Sequence, residues 1–293
     1  MIDLFQQVFL ACRPKQWIKN ALVFALPLSD GMIIGHSFKF NVLLRGLFAF
    51  TSLSWISSAN YIINDIFDIK MDKNHPTKSY RPIASGKLSV SIGILTALIL
   101  SILSLGLCRL TLGTNTFISL ALFGLLQFLY SCFFKHQYGF DLVVLATLYV
   151  VRALIPTLYE KIQISQWFFI IFFASALFLV AGKRYSEIQN NSFLKTRKVL
   201  GIYSKTHLQI WISVSLSLLV VSYLNWIFTF SKHPGFVLML TSMLPMAIIL
   251  IRISVIALTS LGEDPSKFVF NDKANLTLLI IWGAMYMKGK GYI

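Results

Sequence analysis

The chain has 293 residues, of which 56 % are hydrophobic and only 13 % are charged. A soluble domain is about 45–50 % apolar and about 25 % charged, so this composition excludes an ordinary soluble domain and indicates an integral membrane protein. The 26 lysines and arginines against 11 aspartates and glutamates give a formal net charge of +15. In a membrane protein this excess favours the lipid bilayer and anionic phosphate ligands as partners, and no nucleic acid is expected.

Nine segments are apolar and long enough to cross a membrane, which takes about 20 residues per helix. They are residues 16–36, 42–64, 88–108, 114–134, 139–159, 165–182, 207–229, 235–257 and 274–290. Because open sheet edges cannot face lipid, we expect a single all-α transmembrane domain over residues 1–293, a bundle of about nine helices.

The distribution of basic residues predicts the orientation of this bundle. Most lysines and arginines lie in residues 1–19, 65–87, 135–138, 183–206 and 252–273. These connections share one side of the membrane, which the positive-inside rule assigns to the cytoplasm. The N-terminus is therefore predicted to be cytoplasmic, and the two longest polar loops, 65–87 and 183–206, are predicted to form a site on that side.

The first predicted helix begins with "RPKQWIKN". Lys15 and Lys19 stand four residues apart and would share one face of a helix, with Asn20 beside them. From that face they could bind a phosphate group. The alternative is membrane anchoring, in which Arg13 is a positive-inside residue and Trp17 belongs to the aromatic belt.

The second predicted helix ends in "NDIFDIKMDKNHPTKSYRPIASG". On an α-helix Asn64, Asp65, Asp68 and Asp72 fall within an arc of about 100°. Carboxylates this close repel one another, so the arrangement needs a divalent cation or a cluster of basic side chains among them. Oxygen-only ligands of this kind suit Mg²⁺.

The residues that follow the aspartates include Lys78 and Arg81, whose donors suit phosphate oxygens. The alternative is a solvated helix end with surface ion pairs. The joint occurrence of the aspartates and these basic residues beside a membrane favours a metal and phosphate site.

Two further polar positions flank the fifth predicted helix. Both residues could complete the site. The alternatives are a membrane anchor for Lys135, which is the favoured interpretation, and for Asp141 an acidic residue favoured by the start of a helix. Arg152 is the one charge well inside a predicted span. It lies too deep for a cytoplasmic site and is expected to be structural.

The sixth predicted helix ends in "GKRYSE". Lys183, Arg184, Tyr185 and Glu187 stand at the cytoplasmic exit of this helix, at the depth expected for Asn64. They are candidates for binding phosphate groups, and the alternative is again basic anchoring at the inner membrane face.

The aspartate stretch resembles the NDxxDxxxD motif that the UbiA prenyltransferase superfamily carries at the cytoplasmic end of its second transmembrane helix. Three further blocks, "RPKQWIKNALVFALPL", "DLVVLATLYVVRALIP" and "GKRYSEIQN", are similar to the branch of that superfamily that transfers phosphoribosyl groups to polyprenyl phosphates such as decaprenyl phosphate. The members that transfer prenyl groups carry a second aspartate motif near the end of the sixth helix. Here that position offers only Glu187 among basic residues.

This resemblance implies a UbiA-like fold in a bacterial cytoplasmic membrane. It also implies Mg²⁺-dependent transfer of 5-phosphoribosyl from phosphoribosyl diphosphate to a polyprenyl phosphate, with release of diphosphate. The implied metal ligands are Asp65 and Asp68 with Asn64 and Asp72. The implied catalytic residues are Asp65, Asp68, Lys183 and Arg184, and the implied substrate-binding residues are Lys15, Lys19, Asn20, Asn64, Lys78, Arg81, Asp141, Tyr185 and Glu187.

Two other functions stay open at this point. One is transfer of a polyprenyl chain from its diphosphate to an aromatic or other acceptor, and the other is transport of a lipid or an ion. The sequence leaves the oligomeric state open, a homo-oligomer included.

An ionised phosphate is already a nucleophile, so the phosphoribosyl reaction does not need the Ser/His/Asp or Cys/His arrangement that this sequence lacks.

Overall fold

A computed structural model describes residues 2–33, 38–75, 77–162, 164–189, 201–258 and 272–292. Every regular element in these ranges is a helix, so the all-α prediction is confirmed. The α-helices are α1 (Ile2–Ala11), α2 (Ala25–Ser29), α3 (Phe40–Phe67), α4 (Ile69–Lys73), α5 (Val90–Leu112), α6 (Thr114–Cys132), α7 (Phe140–Leu154), α8 (Gln166–Gln189), α9 (Lys205–Phe228), α10 (Phe236–Thr241), α11 (Met243–Leu258) and α12 (Lys273–Gly289). Short 3₁₀ helices cover Pro14–Phe24, Lys78–Tyr80, Phe134–His136 and Ile155–Leu158.

Seven helical stretches within the described ranges are long and apolar enough to cross a membrane. They are Phe40–Phe67, Val90–Leu112, Thr114–His136, Phe140–Leu158, Gln166–Gln189, Lys205–Phe228 and Phe236–Leu258. The predicted count of nine is not confirmed. The last predicted span corresponds to α12, which has only 17 residues.

The first predicted span, 16–36, is not one continuous α-helix. It is a 3₁₀ helix over Pro14–Phe24 followed by the short α2. Pro27 contributes to this break, because a proline has no N–H to donate to the carbonyl four residues earlier.

The described residues group into two compact units. The first comprises Met1–Asp30, Lys39–Gln137 and Val151–Ile162. At its centre α3 packs against α5, α6 and the 3₁₀ helix Pro14–Phe24. The buried face of α3 is rich in small residues, which allow neighbouring helices to approach closely in a membrane. These residues are Ser52, Ser54, Ser57, Ser58 and Ala59.

Arg152 is a buried structural residue of the first unit, as predicted. Its Nε donates to Oδ1 of Asn20 at 2.9 Å, and its guanidinium lies 4.7 Å from the ring centroid of Phe123. The amide of Asn20 in turn donates to Oγ of Ser54 at 3.1 Å. Asn20 therefore binds other parts of the protein through both ends of its amide.

The second unit comprises Gly31–Phe38, Tyr138–Val150 and Gln163–Ile293. Here α8 packs against α9 and α11, and α11 packs against α12. Because α8 continues to Gln189, the predicted loop 183–206 begins inside a helix, and its residues 190–200 lie outside the described ranges. The predicted loop 65–87 likewise begins with the last turn of α3 and contains α4. That the whole chain forms one domain stays a prediction.

The contact between α3 and the 3₁₀ helix predicts the effect of a side chain at Gly46. A Cβ at this position would lie 2.5 Å from Cε1 of Phe24. Because the ring must move, we expect Gly46→Ala to lower the free energy of unfolding by about 1–3 kcal/mol. Gly106 in α5 is the control, since a Cβ there meets no atom within 4 Å. Melting temperatures in detergent should fall for Gly46→Ala and stay level or rise for Gly106→Ala, and equal effects would contradict the contact.

Candidate active site

The aspartate stretch lies where α3 ends and α4 begins. Asn64 and Asp65 belong to the last turn of α3, and Asp68 is the residue between the two helices. The backbone N–H of Asp72 donates to the carbonyl of Asp68 at 2.8 Å, which keeps the helical course nearly continuous. Asp65 and Asp72 are 1 % and 3 % exposed. Three carboxylates thus gather at the C-terminal end of a helix, which already carries the negative pole of the helix dipole.

Arg81 binds two of these carboxylates at once. Its Nη1 donates to Oδ1 of Asp65 at 3.0 Å and to Oδ2 of Asp72 at 2.6 Å. The guanidinium of Arg13 also donates to Oδ1 of Asp65 and lies 5.2 Å from the ring centroid of Tyr61. Arg13 has a φ of 52°, a left-handed conformation that is unfavourable for a residue with a side chain. The ion pair with Asp65 therefore coincides with a locally strained backbone.

Lys135 neutralises the third carboxylate. Its Nζ donates to Oδ1 of Asp68 at 2.7 Å and to Oδ1 of Asn64 at 3.3 Å. The amide of Asn64 donates to the other oxygen of Asp68 at 3.0 Å. The side chain of Lys135 is only 8 % exposed, so its interpretation as a membrane anchor is wrong.

The acidic and basic side chains at this end of α3 balance one another. We call the following seven residues the aspartate cluster: Arg13, Asn64, Asp65, Asp68, Asp72, Arg81 and Lys135. Of the two ways to relieve the repulsion, a metal ion or basic side chains, the structure shows the second. Within the described ranges, no three His, Cys, Asp or Glu side chains converge in a way that holds a metal ion.

The donor chemistry of the aspartate cluster nevertheless fits Mg²⁺. Oδ1 of Asn64 and Oδ1 of Asp68 both point at the ammonium of Lys135. Two carboxylate oxygens converge in the same way on Nη1 of Arg81. Each basic nitrogen thus stands where a cation would meet a pair of oxygen donors, which are the ligands that Mg²⁺ takes. A metal ion at either place requires the basic side chain to move aside.

Lys78 lies in the segment between α4 and Arg81. The backbone N–H groups of Thr77 and Lys78 donate to Nδ1 of His75 at 3.2 and 3.3 Å. His75 is itself buried. These bonds hold the backbone that carries Lys78 and Arg81.

The basic residues of the N-terminal segment do not share a face as predicted. Lys15 and Lys19 lie in the 3₁₀ helix, which has three residues per turn, so a spacing of four places them on different sides. Lys15 is exposed and Lys19 is half-buried. Asn20 is bound to Ser54 and Arg152, away from the carboxylates.

In the second unit Asp141 is the centre of another buried network. This side chain is fully buried and accepts a bond of 2.9 Å from Nε of Arg184. The guanidinium of Arg184 also donates from Nη1 to Oε2 of Glu187 at 2.7 Å. Tyr203 donates its hydroxyl to the other oxygen of Asp141 at 2.5 Å. We call Asp141, Arg184, Glu187 and Tyr203 the Asp141 network.

The surroundings of Tyr203 keep its phenol neutral. Burial raises the pKa of the Tyr203 phenol, and the hydrogen bond to the Asp141 carboxylate raises it further. The phenol therefore stays protonated and acts as a donor. The backbone N–H of Gly139 donates to the phenol oxygen at 2.8 Å, so this tyrosine also ties down the start of α7.

Lys183 and Tyr185 flank Arg184 on α8. Lys183 is half-buried, and Tyr185 is buried. The hydroxyl of Tyr185 accepts bonds of 3.3 Å from the amides of Gln189 and Gln209. The "GKRYSE" motif is thus part of a packed helix and not of a loop.

The predicted site residues therefore fall into two groups. Asn64, Asp65, Asp68, Asp72 and Arg81 meet in the first unit, and Asp141, Arg184 and Glu187 meet in the second. Sequence reasoning favoured an anchoring role for Arg13 and Lys135 and did not consider Tyr203. Arg13 precedes a proline and Lys135 follows two phenylalanines, and neither pattern distinguishes a partner of an aspartate from an anchor.

The sequence is similar to a known protein family and to individual members of it. A model of the UbiA prenyltransferase family matches residues 21–279. A decaprenyl-phosphate phosphoribosyltransferase of Mycobacterium tuberculosis is 32 % identical over 286 residues, which are 96 % of this chain and 93 % of the relative. A protein of the same name from Corynebacterium glutamicum is 33 % identical over 280 residues, which are 93 % of this chain and 83 % of the relative.

Solved structures show the same fold. A UbiA homolog from Archaeoglobus fulgidus bound to GPP and Mg²⁺ matches with a TM-score of 0.68 and 18 % identity, covering 98 % of this chain and 99 % of that one. The digeranylgeranylglyceryl phosphate synthase structure also has a TM-score of 0.68 at 18 % identity. These matches confirm the predicted fold.

The shared guanidinium of the aspartate cluster predicts a large effect on stability. Arg81→Gln leaves Asp65 and Asp72 without their common partner, and losing one member of a buried ion pair costs about 3–5 kcal/mol. Asp72→Asn in the same chain should recover part of this loss, because the two effects are coupled. The control is Lys70→Gln, which removes an exposed positive charge from α4. The measurement is the melting temperature in detergent of the unchanged protein, the two single variants and the double variant. An Arg81→Gln protein as stable as the Lys70→Gln control would contradict the ion pair.

Proposed function

The chain belongs to the UbiA prenyltransferase family, and from this premise we propose that it transfers 5-phosphoribosyl from phosphoribosyl diphosphate to a polyprenyl phosphate such as decaprenyl phosphate. Diphosphate is the second product. The observation that carries this proposal is the similarity, over almost the whole chain, to two decaprenyl-phosphate phosphoribosyltransferases. The transmembrane helices and the family make this chain an integral membrane protein.

The reaction is a substitution at C1 of the ribose. An oxygen of the polyprenyl phosphate forms a bond to C1, the bond from C1 to the diphosphate oxygen breaks, and the electron pair leaves with diphosphate. The nucleophile is ionised already, so no general base has to be provided. What the protein must supply is a set of cations and donors that brings two anionic substrates together.

Phosphate binding in the first unit is assigned to the basic residues of the aspartate cluster and its neighbours. The side chains of Arg13 and Arg81 are 25 % and 23 % exposed, so part of each guanidinium reaches beyond the carboxylates. A guanidinium carries five donors and binds carboxylate and phosphate together. Lys78 extends this set along the same segment, and Lys15 and Lys19 are further candidates on the N-terminal 3₁₀ helix.

Asn64, Asp65, Asp68 and Asp72 are the residues that would hold Mg²⁺. When bound, the metal ion would neutralise charge on the departing diphosphate. Lys135 holds Asn64 and Asp68 in one orientation, with both Oδ1 atoms turned to the same point.

In the second unit we assign phosphate binding to Lys183 and a positioning role to Arg184. Arg184 is 2 % exposed and already donates to Asp141 and Glu187. A buried guanidinium with two carboxylate partners fixes the helix turn that carries Lys183 and Tyr185. In this proposal Asp141 and Glu187 hold Arg184, and Tyr185 lines the substrate site.

The apolar chain of the lipid substrate explains why a membrane protein would catalyse this reaction. A polyprenyl tail is insoluble in water, whereas phosphoribosyl diphosphate is soluble, so the reaction has to take place at a membrane surface. The excess of basic residues on one side supports a site on the cytoplasmic face of the membrane, with the N-terminus on the same side. The bacterial relatives support a bacterial cytoplasmic membrane.

The first test offers two labelled donors to the purified protein. Radiolabelled phosphoribosyl diphosphate with polyprenyl phosphate and Mg²⁺ should yield lipid-soluble label, and a chelator should abolish it. Radiolabelled prenyl diphosphate with an aromatic acceptor should yield no prenylated acceptor. Product from the prenyl donor alone would replace this proposal by prenyl transfer, and no product from either donor would favour a transporter.

The second test removes single carboxylates. Asp65→Asn and Asp68→Asn should each lower kcat for phosphoribosyl transfer at least 100-fold, because each substitution takes a negative oxygen from the proposed metal ligands. Asp30→Asn is the matched control, since Asp30 is exposed at the end of α2. Its kcat should stay within about twofold of the unchanged protein. Full activity in both cluster variants would remove the metal site from the proposal.

A further inference from the structure

A cavity lies at the end of α3 that is remote from the aspartates. Its volume is about 770 Å³, and its lining includes Lys39, Phe40, Leu44, Arg45, Phe48 and Glu160. All of these residues belong to the first unit. We call this cavity the Lys39 groove.

The Lys39 groove is separated from the aspartate cluster by the thickness of a membrane. With a rise of 1.5 Å per residue, Arg45 lies about 30 Å from Asp65 along α3. The hydrocarbon core of a bilayer has the same thickness. The groove therefore opens at the opposite membrane surface, and the proposed transferase reaction does not use it.

The charges in this groove do not balance. Arg45 donates from Nη1 to the carbonyl of Tyr159 at 2.8 Å and to Oε1 of Glu160 at 3.3 Å. Glu160 thus compensates the charge of Arg45, whose side chain is still 45 % exposed. Lys39 has no hydrogen bond or ion pair to its side chain from any residue in the described ranges. Over the described residues, the lining of the groove therefore carries one net positive charge.

An apolar stripe leads from this charge into the membrane. Phe40, Leu44 and Phe48 follow one another at intervals of four residues and lie on one side of α3. Phe40 is 64 % exposed and Leu44 is 38 % exposed. The stripe begins beside Lys39 and runs along α3 toward the middle of the bilayer.

We propose that the Lys39 groove binds one anionic phospholipid. The phosphodiester would lie between Lys39 and the exposed part of the Arg45 guanidinium, and an acyl chain would cover the stripe of Phe40, Leu44 and Phe48. A phosphodiester with no other charge matches the single net charge of the groove. A zwitterionic headgroup brings a positively charged group, and among the described lining residues the one carboxylate, Glu160, is already bound to Arg45.

The test measures binding of short-chain phosphatidylglycerol to the full-length protein in neutral detergent, through the rise in melting temperature with lipid concentration. Lys39→Gln should weaken the apparent affinity about fivefold, the equivalent of about 1 kcal/mol for one lysine at a membrane surface. Lys39 has no partner to lose in the described structure, so this variant should fold normally. Lys161→Gln is the matched control, because Lys161 is exposed next to Glu160 but does not line the groove. Its affinity should not change.

Two further arms separate the possible ligands. Glycerophosphoglycerol carries the headgroup phosphodiester without a tail, and phosphatidylcholine carries the tail with a zwitterionic headgroup. Both should bind at least fivefold more weakly than phosphatidylglycerol. Equal binding of glycerophosphoglycerol would show a phosphodiester site without lipid, equal binding of phosphatidylcholine would show an apolar groove without charge selection, and either result would overturn the proposal. So would an equal loss of affinity in Lys39→Gln and Lys161→Gln. Phosphoribosyl transfer by Lys39→Gln should be unchanged at saturating substrate, so failure here leaves the proposed function standing.

Discussion

The interaction on which the first unit depends is the neutralisation of buried carboxylates at the end of α3. A carboxylate at a helix C-terminus meets an unfavourable dipole, and burial removes the water that would otherwise stabilise it. Asp65, Asp68 and Asp72 can occupy this place only because three basic side chains bind them. Those basic residues come from the N-terminal segment, from the segment after α4 and from the 3₁₀ helix after α6. The ion pairs thus fasten three separate parts of the chain to one helix end.

This arrangement has a consequence for catalysis. A donor that is fixed before a phosphate group arrives binds it without reorganisation, as long as no metal ion displaces that donor from its carboxylate. Arg81 is fixed by two carboxylates, and Arg13 keeps an unfavourable left-handed backbone beside Asp65. The carboxylates therefore serve the proposed phosphate site even where they do not touch a ligand, since they hold the donors in place.

The sequence predicts those features that depend on local periodicity. Hydropathy locates α3, α5, α6 and α9 to within about four residues, because a membrane span is one continuous apolar stretch. The spacing of Asn64, Asp65, Asp68 and Asp72 correctly predicts pairs of neighbours. Asn64 and Asp68 share Lys135, and Asp65 and Asp72 share Arg81, although α3 ends before Asp68 and the four residues do not belong to one continuous helix. The basic partners of these residues could not be predicted from local spacing, because Lys135 is 67 residues from Asp68 and Arg13 is 52 residues from Asp65. A lysine beside a span has the same pattern whether it contacts lipid headgroups or an aspartate, and only tertiary packing decides between them. The N-terminal span was predicted as a continuous α-helix for a related reason, since composition does not distinguish an α-helix from a 3₁₀ helix.

The two ends of α3 differ in the way they can select a ligand. At the aspartate end each of the three carboxylates already has a basic partner, so an incoming metal ion or phosphate has to compete with an existing ion pair. Competition of this kind favours ligands of high charge density and matching geometry, such as a diphosphate with its metal ion. At the other end Lys39 has no such partner among the described residues, so a single phosphodiester only adds an interaction and displaces nothing. Demanding selection is therefore expected where the proposed chemistry occurs, and weaker selection by charge is expected where the membrane itself supplies the ligand.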